Sequence, residues 1–582
     1  MEEVTLHIDN HAFKIKKEVL IEHSDYFRAM FSGNYVENEQ QEVQIDVVDA
    51  NSMQIIVQYM NIGLIDLSEY PLNTIAELSV AANFLQIPEL IKQIEYCLDL
   101  QLSVSNWMQI MGIAESSSYS KLEKLSAAFG LLSFKAMKLE YIPSIQKLYW
   151  YLSHPYLDVP NELDVFKFGY NWINNMDLGP DALMIVICCL DLNRMTAPEF
   201  KEIRDLLAFT YDCLGVRVMD LFCHISRGHC ELSTSFIMSQ KTMLRETFTE
   251  RVYNESLNLM KENRSRVLTY FPTVPVWIVK DTKPEVIPHF VYKYSEEKGF
   301  EKYIEVAEKN LWGWSIAEWG PTRLVVVCGE HGRGTGLFMK DVKVYDTLRE
   351  EWTWHGVELP SRRHGGVTVL NDSLYIIGGV GGFRVILDTA IVYDLKNRSY
   401  RKIAKLPDSI QNPAVCIHDG VVYAAGQKII YKYTDLGNTD TWNTVIDTEI
   451  RTSCMVSFQG YIYCTQNYFN HFYRFRPDFD KKLEMITYFT NPPATICNLG
   501  KFCNYLNLFT RTMCGQSDIL AVEEYTDNDL ENRPRVLWSD SDTVMKVNDV
   551  AGSCTLVVSI PPVIPEPSQL HNRYLSVYAN FQ

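Results

Sequence analysis

The sequence predicts a multidomain protein with three parts in series: an α+β domain, an all-α domain and an all-β propeller of six blades. Three observations carry that prediction. In the second half a strand pattern built around a tyrosine, read as pointing outward, recurs at Tyr294, Tyr345, Tyr393, Tyr433, Tyr473 and Tyr525, in steps of 51, 48, 40, 40 and 52 residues by subtraction. Steps of that length enclose several short alternating runs rather than helical stripes, the signature of small antiparallel sheets repeated around an axis. The first hundred residues interleave alternating runs with helical spacing, and residues 101–268 read as helix almost throughout.

Composition bounds the function. At 582 residues and 47% hydrophobic content the chain can bury several cores. Residues 1–10 alternate as a strand does instead of forming an export leader, and no run approaches the roughly 20 apolar residues that span a bilayer. A soluble protein of the cytoplasm, and in part of the nucleus, is expected. Fourteen cysteines are scattered without a single C-x-x-C, so reduced thiols are the expectation. The closest approach to a metal cluster, Cys223, His224, His229 and Cys230, lacks the paired spacing of a structural zinc site and reads as helix packing. A formal charge of −18 disfavours nucleic acid and anionic membranes as partners.

In the first domain, residues 4–8 and 11–17 alternate around Asp9 and Asn10. Leu20, Phe27 and Phe31 then fall on one helical face from about Glu18, and a second alternating run covers 43–49. Helices follow from about Ser52, through 75–84 and through 90–100, the last two parted at Pro88. The strings SDYFRAMF at 24–31, SGNYVENEQQEVQI at 32–45 and AANFLQIPELIKQIEYCL at 81–98 resemble the BTB domain of BTB–Kelch proteins, over about a hundred residues in the right order. In the helical segment, 122–137 and 162–173 are the clearest amphipathic stretches, with Phe166 and Trp172 as packing residues. ELDVFKFGYNWI at 162–173 and LDLNRMTAPEF at 190–200 resemble the BACK domain of the same family.

A proline-bearing stretch at 271–288 marks the passage from helices to strands. Five of the six tyrosines are followed by a second aromatic expected on the outer strand: Tyr303, Trp352, Tyr400, Trp442 and, less regularly, Trp538. Before the tyrosines stand apolar runs at 324–329, 374–379, 421–426 and 461–466, read as the inner strands, where a closing glycine lets backbones crowd. Gly378-Gly379 is the full double glycine of a Kelch repeat. Cys328-Gly329 and Ala425-Gly426 keep the second glycine, and Cys464-Thr465 keeps neither. The array resembles a degenerate Kelch propeller. Its first copy supplies runs at 276–280, 289–294 and 302–306 without a fourth strand, while 555–560 follows the last copy with nothing to pair with. The two are expected to meet and close the ring. The resemblance thus implies a BTB domain over 1–100, a BACK domain over 101–268, a Kelch propeller over 269–565 and a tail over 566–582.

Catalytic motifs are missing: no H-E-x-x-H, G-x-S-x-G or G-x-x-x-x-G-K-[ST] occurs. GEHGRGTG at 329–336 precedes a strand rather than a helix and reads as a blade loop, not a phosphate cradle. No enzymatic activity, cofactor or metal is expected. The resemblance implies a substrate adaptor, with the BTB domain holding a cullin-3 ubiquitin ligase and the propeller capturing an unknown protein; an actin-associated or scaffolding role without cullin is the alternative. In the family a hydrophobic residue, any residue and a glutamate after the SDYFRAMF helix contribute to cullin contact. Tyr35, Val36 and Glu37 occupy that place, with tyrosine for the usual Met or Leu, and Phe31 is expected to join Tyr35 as an apolar anchor. BTB domains of the family usually carry a dimerisation helix before the first strand. Here the first strand opens at once, which leaves a monomer and a homodimer through the remaining BTB helices both open.

Substrate-binding residues are expected where the loops leaving the inner strands and the loops joining blades converge at one end of the propeller. These loops hold His331, Arg333, Arg362, Arg363, His364, Phe383, Arg384, Arg451, Asn467 and Tyr468. Five arginines on one face of so acidic a chain would form a local positive site for an acidic peptide.

Overall fold

A computed structural model describes residues 2–32, 41–178, 180–191, 194–211, 266, 270–275, 288–295, 298–437, 439–466, 468–491, 493–498, 505–514, 517–526, 534–539 and 552–557. The chain divides into two compact units, residues 1–266 with 561–582, and residues 267–560. No helix among the described residues is long and apolar enough to cross a membrane.

In the first unit, strand Glu3–Ile8 buries Val4, Leu6 and Ile8 on one face, as its alternation requires. It pairs antiparallel with His11–Lys16 and parallel with Glu42–Gln44, the latter shorter than the run at 43–49 suggests. Helices Lys17–His23, Asp25–Met30, Ala50–Ile62, Leu72–Phe84 and Pro88–Gln101 cover the sheet. Their ends carry local chemistry. Ser24 Oγ accepts from Phe27 N and donates to Leu85 O at 2.5 Å, and Asp49 accepts from Ser52 N at 2.8 Å. Gly63 at φ 80° ends the third helix, and Pro88 is the first residue of the fifth.

Helices Trp107–Ser116, Ser120–Leu132, Ile145–Ser153, Glu162–Asn175, Pro180–Cys188 and Ala197–Tyr211 build a second core around Trp107, Tyr151, Phe166 and Trp172. Gly130 lies flat against the Trp107 ring, where a Cβ would collide with it, and its carbonyl accepts from Tyr151 Oη at 3.1 Å. A buried ionic knot fastens this core. Glu162 receives Arg194 Nη1 at 2.8 Å and both Nε and Nη2 of Arg266 at 3.0 Å, and Arg266 N donates to Asp191 at 2.9 Å. Beside it, burial and then the Arg266 charge push the His154 imidazole down to about 4.

Among the described residues the second unit holds six four-stranded antiparallel sheets, five of them simple meanders and one completed by a strand from the C-terminal end, besides a two-stranded pair of Leu311–Trp312 with Glu330–His331. The first strands of successive sheets, Ser315–Glu318, Gly366–Leu370, Val415–His418, Thr452–Phe458, Pro493–Asn498 and Cys554–Val557, lie each against the next and return to the start, so they line the axis. This is the six-bladed propeller. The closing strand is Cys554–Val557, which pairs with Tyr270–Pro275 as the innermost strand of blade one, with Thr555 N donating to Glu318 of blade two at 2.8 Å. Completion of the first blade by the C-terminal strand is as expected. Its partner there is the strand 270–275, and the run at 276–280 lies outside the described residues.

Two readings of the strands need correction. The apolar runs at 324–327, 374–377, 421–425 and 461–466 are second strands, not innermost; they are the most apolar because both faces are covered by neighbouring blades, whereas first strands turn partly to the channel. The repeated tyrosines do not point outward either. Tyr294, Tyr393, Tyr433 and Tyr525 are buried and Tyr345 and Tyr473 half-buried, because the third strand of one blade packs on the sheet of its neighbour. Tyr345 faces Trp352, Tyr393 faces Tyr400 and Tyr433 faces Trp442 across the last two strands, as the second-aromatic reading implies; in blade one Tyr294 faces Phe300 instead of Tyr303. Tyr393 Oη reaches His355 Nδ1 of the preceding blade at 3.0 Å, and Trp442 Nε1 donates to Ala404 O of the preceding blade at 2.8 Å. The tyrosine period therefore marks blade-to-blade seams.

Candidate functional site: the loop-bearing end of the propeller

In a four-stranded meander the loops between second and third strands, and those joining one blade to the next, emerge at the same end. Their lengths are unequal. The second-to-third connection spans 328–341 in blade two and 378–389 in blade three, against 426–428 in blade four. Of these described connections, those of blades two and three carry the relief.

Left-handed backbone sets the path of these long loops. Gly378 at φ 59° and Gly379 at φ 97° turn the chain where a Cβ would stand 2.7 Å from Ile410 O and from Arg363 O. Gly379 N donates to Ile410 O, as Gly329 N at φ 113° donates to Arg362 O, both at 2.8 Å. Each loop is thus pinned to an interblade segment. Cys328 takes the first glycine's place at φ 64°, and burial pushes its thiol up to about 12, which leaves it inert.

The expected arginine cluster separates into two kinds. Arg362 is buried; its Nη1 donates to Gly378 O at 2.6 Å and Thr389 O at 2.9 Å, and its Nη2 to Thr389 Oγ1 at 3.0 Å. Arg363 is buried too, paired to Glu330 at 2.8 Å with its guanidinium 4.8 Å from the Trp312 ring centre. Glu330 in turn accepts from Gly336 N at 2.7 Å, closing the glycine-rich stretch as a blade loop. His364 is buried edge-on to Trp312 at 4.7 Å. These three residues brace the loops from within and offer no free surface, a correction to their reading as substrate contacts. The reason is geometric: the interblade segment dips under the next loop, so its polar side chains meet carbonyls rather than water.

The others lie outside. Arg333 is exposed, with its guanidinium 5.1 Å from the Trp312 ring centre, and His331 is half-exposed beside Glu308 at 3.6 Å. Phe383 and Arg384 are exposed at consecutive left-handed positions, φ 54° and 61°, followed by exposed Val385 and Ile386, and in the blade-two loop Leu337 is exposed as well. A Cβ on Gly334 would stand 3.7 Å from Arg384 Nη2, so the two long loops come within side-chain reach. Arg451 is exposed and donates to Gln411 O at 3.3 Å, and Tyr468 is exposed in blade five; Asn467 lies outside the described residues. Leu337, Val385 and Ile386 escaped the sequence reading, which looked for charge and aromaticity; apolar residues inside a loop were the available signal. Among the described residues no group of three or more His, Cys, Asp or Glu could hold a metal, and Cys223, His224, His229 and Cys230 lie outside them.

At the other expected site Phe31 is buried, stacked on Phe27 at 6.1 Å within the first core, with the Lys17 ammonium 4.8 Å from its ring centre. It belongs to the helix pair's own packing and is not an exposed anchor. Tyr35, Val36 and Glu37 lie outside the described residues.

Comparison with known proteins agrees with this architecture. Residues 1–102 match the family model of the BTB/POZ domain, and residues 361–407 match that of the Kelch motif. The second match covers blade three, the copy with both glycines. Kelch-like protein 15 of Mus musculus is 25% identical over 419 residues, 65% of this chain and 67% of that protein. Kelch-like protein 26 of Danio rerio is 24% identical over 420 residues with the same coverage, and human Kelch-like protein 28 is 34% identical over 127 residues, 22% of this chain and 21% of that protein.

Proposed function

The chain belongs to the BTB–Kelch family, and we propose that it is a non-catalytic substrate-recognition adaptor of a cullin-3 RING ubiquitin ligase. In this reading the BTB domain binds the cullin through Tyr35, Val36 and Glu37, and the propeller captures the protein to be modified. Catalysis belongs to the partners, which agrees with a sequence free of hydrolase, metalloprotease and P-loop motifs. The observation that carries the reading is the coupling of a BTB domain to a propeller whose end bears two long, internally braced loops with exposed Phe383, Arg384 and Arg333 at their tips. A rigid scaffold with uneven, solvent-facing loops at one end is built for recognition. The adaptor acts in the cytoplasm, with access to the nucleus, and a homodimer through the BTB domain would raise the effective concentration at a two-site substrate.

The test is affinity purification of the whole chain from cells with and without proteasome inhibition, read by mass spectrometry. Cullin-3 is expected in both samples and substrates chiefly in the inhibited one, with cullin-3 lost from the Tyr35→Ala, Glu37→Lys double variant. Recovery of actin or another scaffold without cullin-3 would overturn the ligase reading in favour of a cytoskeletal one.

A further inference from the structure

We propose that the outer edge of blade three, strand Ser399–Ile403, is a docking edge to which an acidic, extended segment of a partner protein adds as a further strand. This edge lies on the outer wall of the propeller, away from the loop-bearing end, and the proposal does not rest on the adaptor reading. Charge, regularity and exposure point to it together.

Charge comes first. Residues 395–407 hold Lys396, Arg398, Arg401, Lys402 and Lys405 and no Asp or Glu, in a chain of formal charge −18. All five cations are exposed. Lys396 meets Asp372 at 2.8 Å, Arg401 meets Asp435 of blade four at 2.7 Å and Lys405 meets Asp388 at 3.1 Å, all at the surface, where such pairs are weak and exchange readily. Arg398 and Lys402 have no carboxylate partner among the described residues.

Regularity singles out the same strand. Each blade ends in an edge strand with open N–H and C=O groups, which folded proteins blunt with bulges or charge. The ladder between third and fourth strands is shifted in blades one, four, five and six, and unshifted in blades two and three. The outer strand of blade two, Glu351–His355, carries a carboxylate and neither Lys nor Arg, whereas that of blade three carries Arg401 and Lys402 and no carboxylate. A regular edge and positive charge coincide only in blade three among the described strands. Cations there keep two copies of this edge apart, and the same charge attracts a strand of opposite sign.

The edge is also open and held in place. Ser399 to Lys402 are exposed in succession, and Ile403 alone is buried, against blade four. Just beyond it Ala404 is fixed to that blade, its N donating to Asp440 at 2.7 Å and its O accepting from Trp442 Nε1 at 2.8 Å. In the turn before it, Asp394 accepts from Lys396 N at 2.9 Å and Asn397 N at 2.8 Å. Strand alternation sets Tyr400 and Lys402 on one face and Ser399 and Arg401 on the other, so each face offers a cation to an added strand. Asp or Glu opposite Lys402 and Arg401 would make cross-strand pairs, while the Tyr400 ring, 39% exposed, would take an aliphatic or aromatic neighbour.

The experiment uses the full chain and three fluorescent synthetic peptides of about nine residues. The parent alternates Val and Glu around a central Tyr; the second is the parent N-methylated along its central residues, so that neither of its edges can donate; the third has Lys for every Glu. Fluorescence polarisation is expected to show the parent binding at least about tenfold tighter than either of the others, and more weakly as salt rises. Hydrogen exchange should slow within 398–404 when the parent is bound. The Arg398→Glu, Lys402→Glu double variant should lose about tenfold or more in affinity with an unchanged melting temperature, since both residues are exposed. Equal binding of the parent and the N-methylated peptide would reduce the edge to a charged patch and overturn the proposal. So would protection confined to another blade, undiminished binding by the double variant, or preference for single-stranded RNA or phosphatidylserine vesicles over the parent peptide.

Discussion

Blade three and blade five are built on the same meander and differ in almost everything that decorates it. Blade three keeps Gly378-Gly379, shows unbroken register across all four strands, and sends out a loop over 378–389. Blade five has no glycine in the matching stretch from Cys464 to Gln466, register irregularities near Thr452 and Phe472, and only four residues, 467–470, between its second and third strands. The left-handed glycines are therefore needed for a long loop folded back on its neighbour and not for a blade as such. Where they are lost, a short turn and a bulge take up the path, and the ring still closes.

That comparison can be broken in order of expected size. Arg363→Ala leaves Glu330 buried without its partner and should cost about 3–5 kcal/mol in urea unfolding, whereas Arg451→Ala, exposed at the entry to blade five, should change stability by no more than about 0.5 kcal/mol. Equal effects would mean that blade two is not braced from within.

Acid extends the contrast to the helical unit. His154 is held neutral in the folded state, its pKa at about 4 against 6.5, so its contribution is complete above pH 6.5 and is lost as pH falls from there towards 4. The loss should reach on the order of 3 kcal/mol, read as a pH-dependent unfolding midpoint, and His154→Asn should flatten the slope over that window.

A third comparison sets glycine against glycine. Gly379→Ala meets the Arg363 carbonyl at a left-handed position and should cost about 2 kcal/mol. Gly426→Ala in blade four meets the Asp408 side chain and the Tyr431 ring on ordinary backbone, and a cost nearer 1 kcal/mol is expected. Thermal unfolding of the two variants reads the difference. Smallest of all, Tyr393→Phe removes the bond to His355 across a seam and should cost about 1 kcal/mol, against roughly half that or less for Tyr473→Phe in half-buried blade five.

Much of the architecture was legible because periodicity survives divergence. The 40- to 52-residue tyrosine steps, the strings at 24–31 and 81–98 and the unpaired strand at the C-terminus each report a packing demand that any folded version of the chain must meet. The candidate site was legible only in part. Arg333, Phe383 and Arg384 stand where loop position suggested, but Arg362, Arg363 and His364 look the same in sequence and are interior, and Phe31 is a core residue. Adjacent charged residues in a loop carry no sign of which will be covered by another blade.

The sequence by itself determined the division into strand-and-helix, helical and six-bladed parts, because hydrophobic period and repeat length are local properties written along the chain. Which strand lines the channel, which way the tyrosines face and which arginines remain available were decided only by tertiary structure. Burial at those positions depends on a neighbouring blade some forty residues away, pressing its sheet or its loop against them.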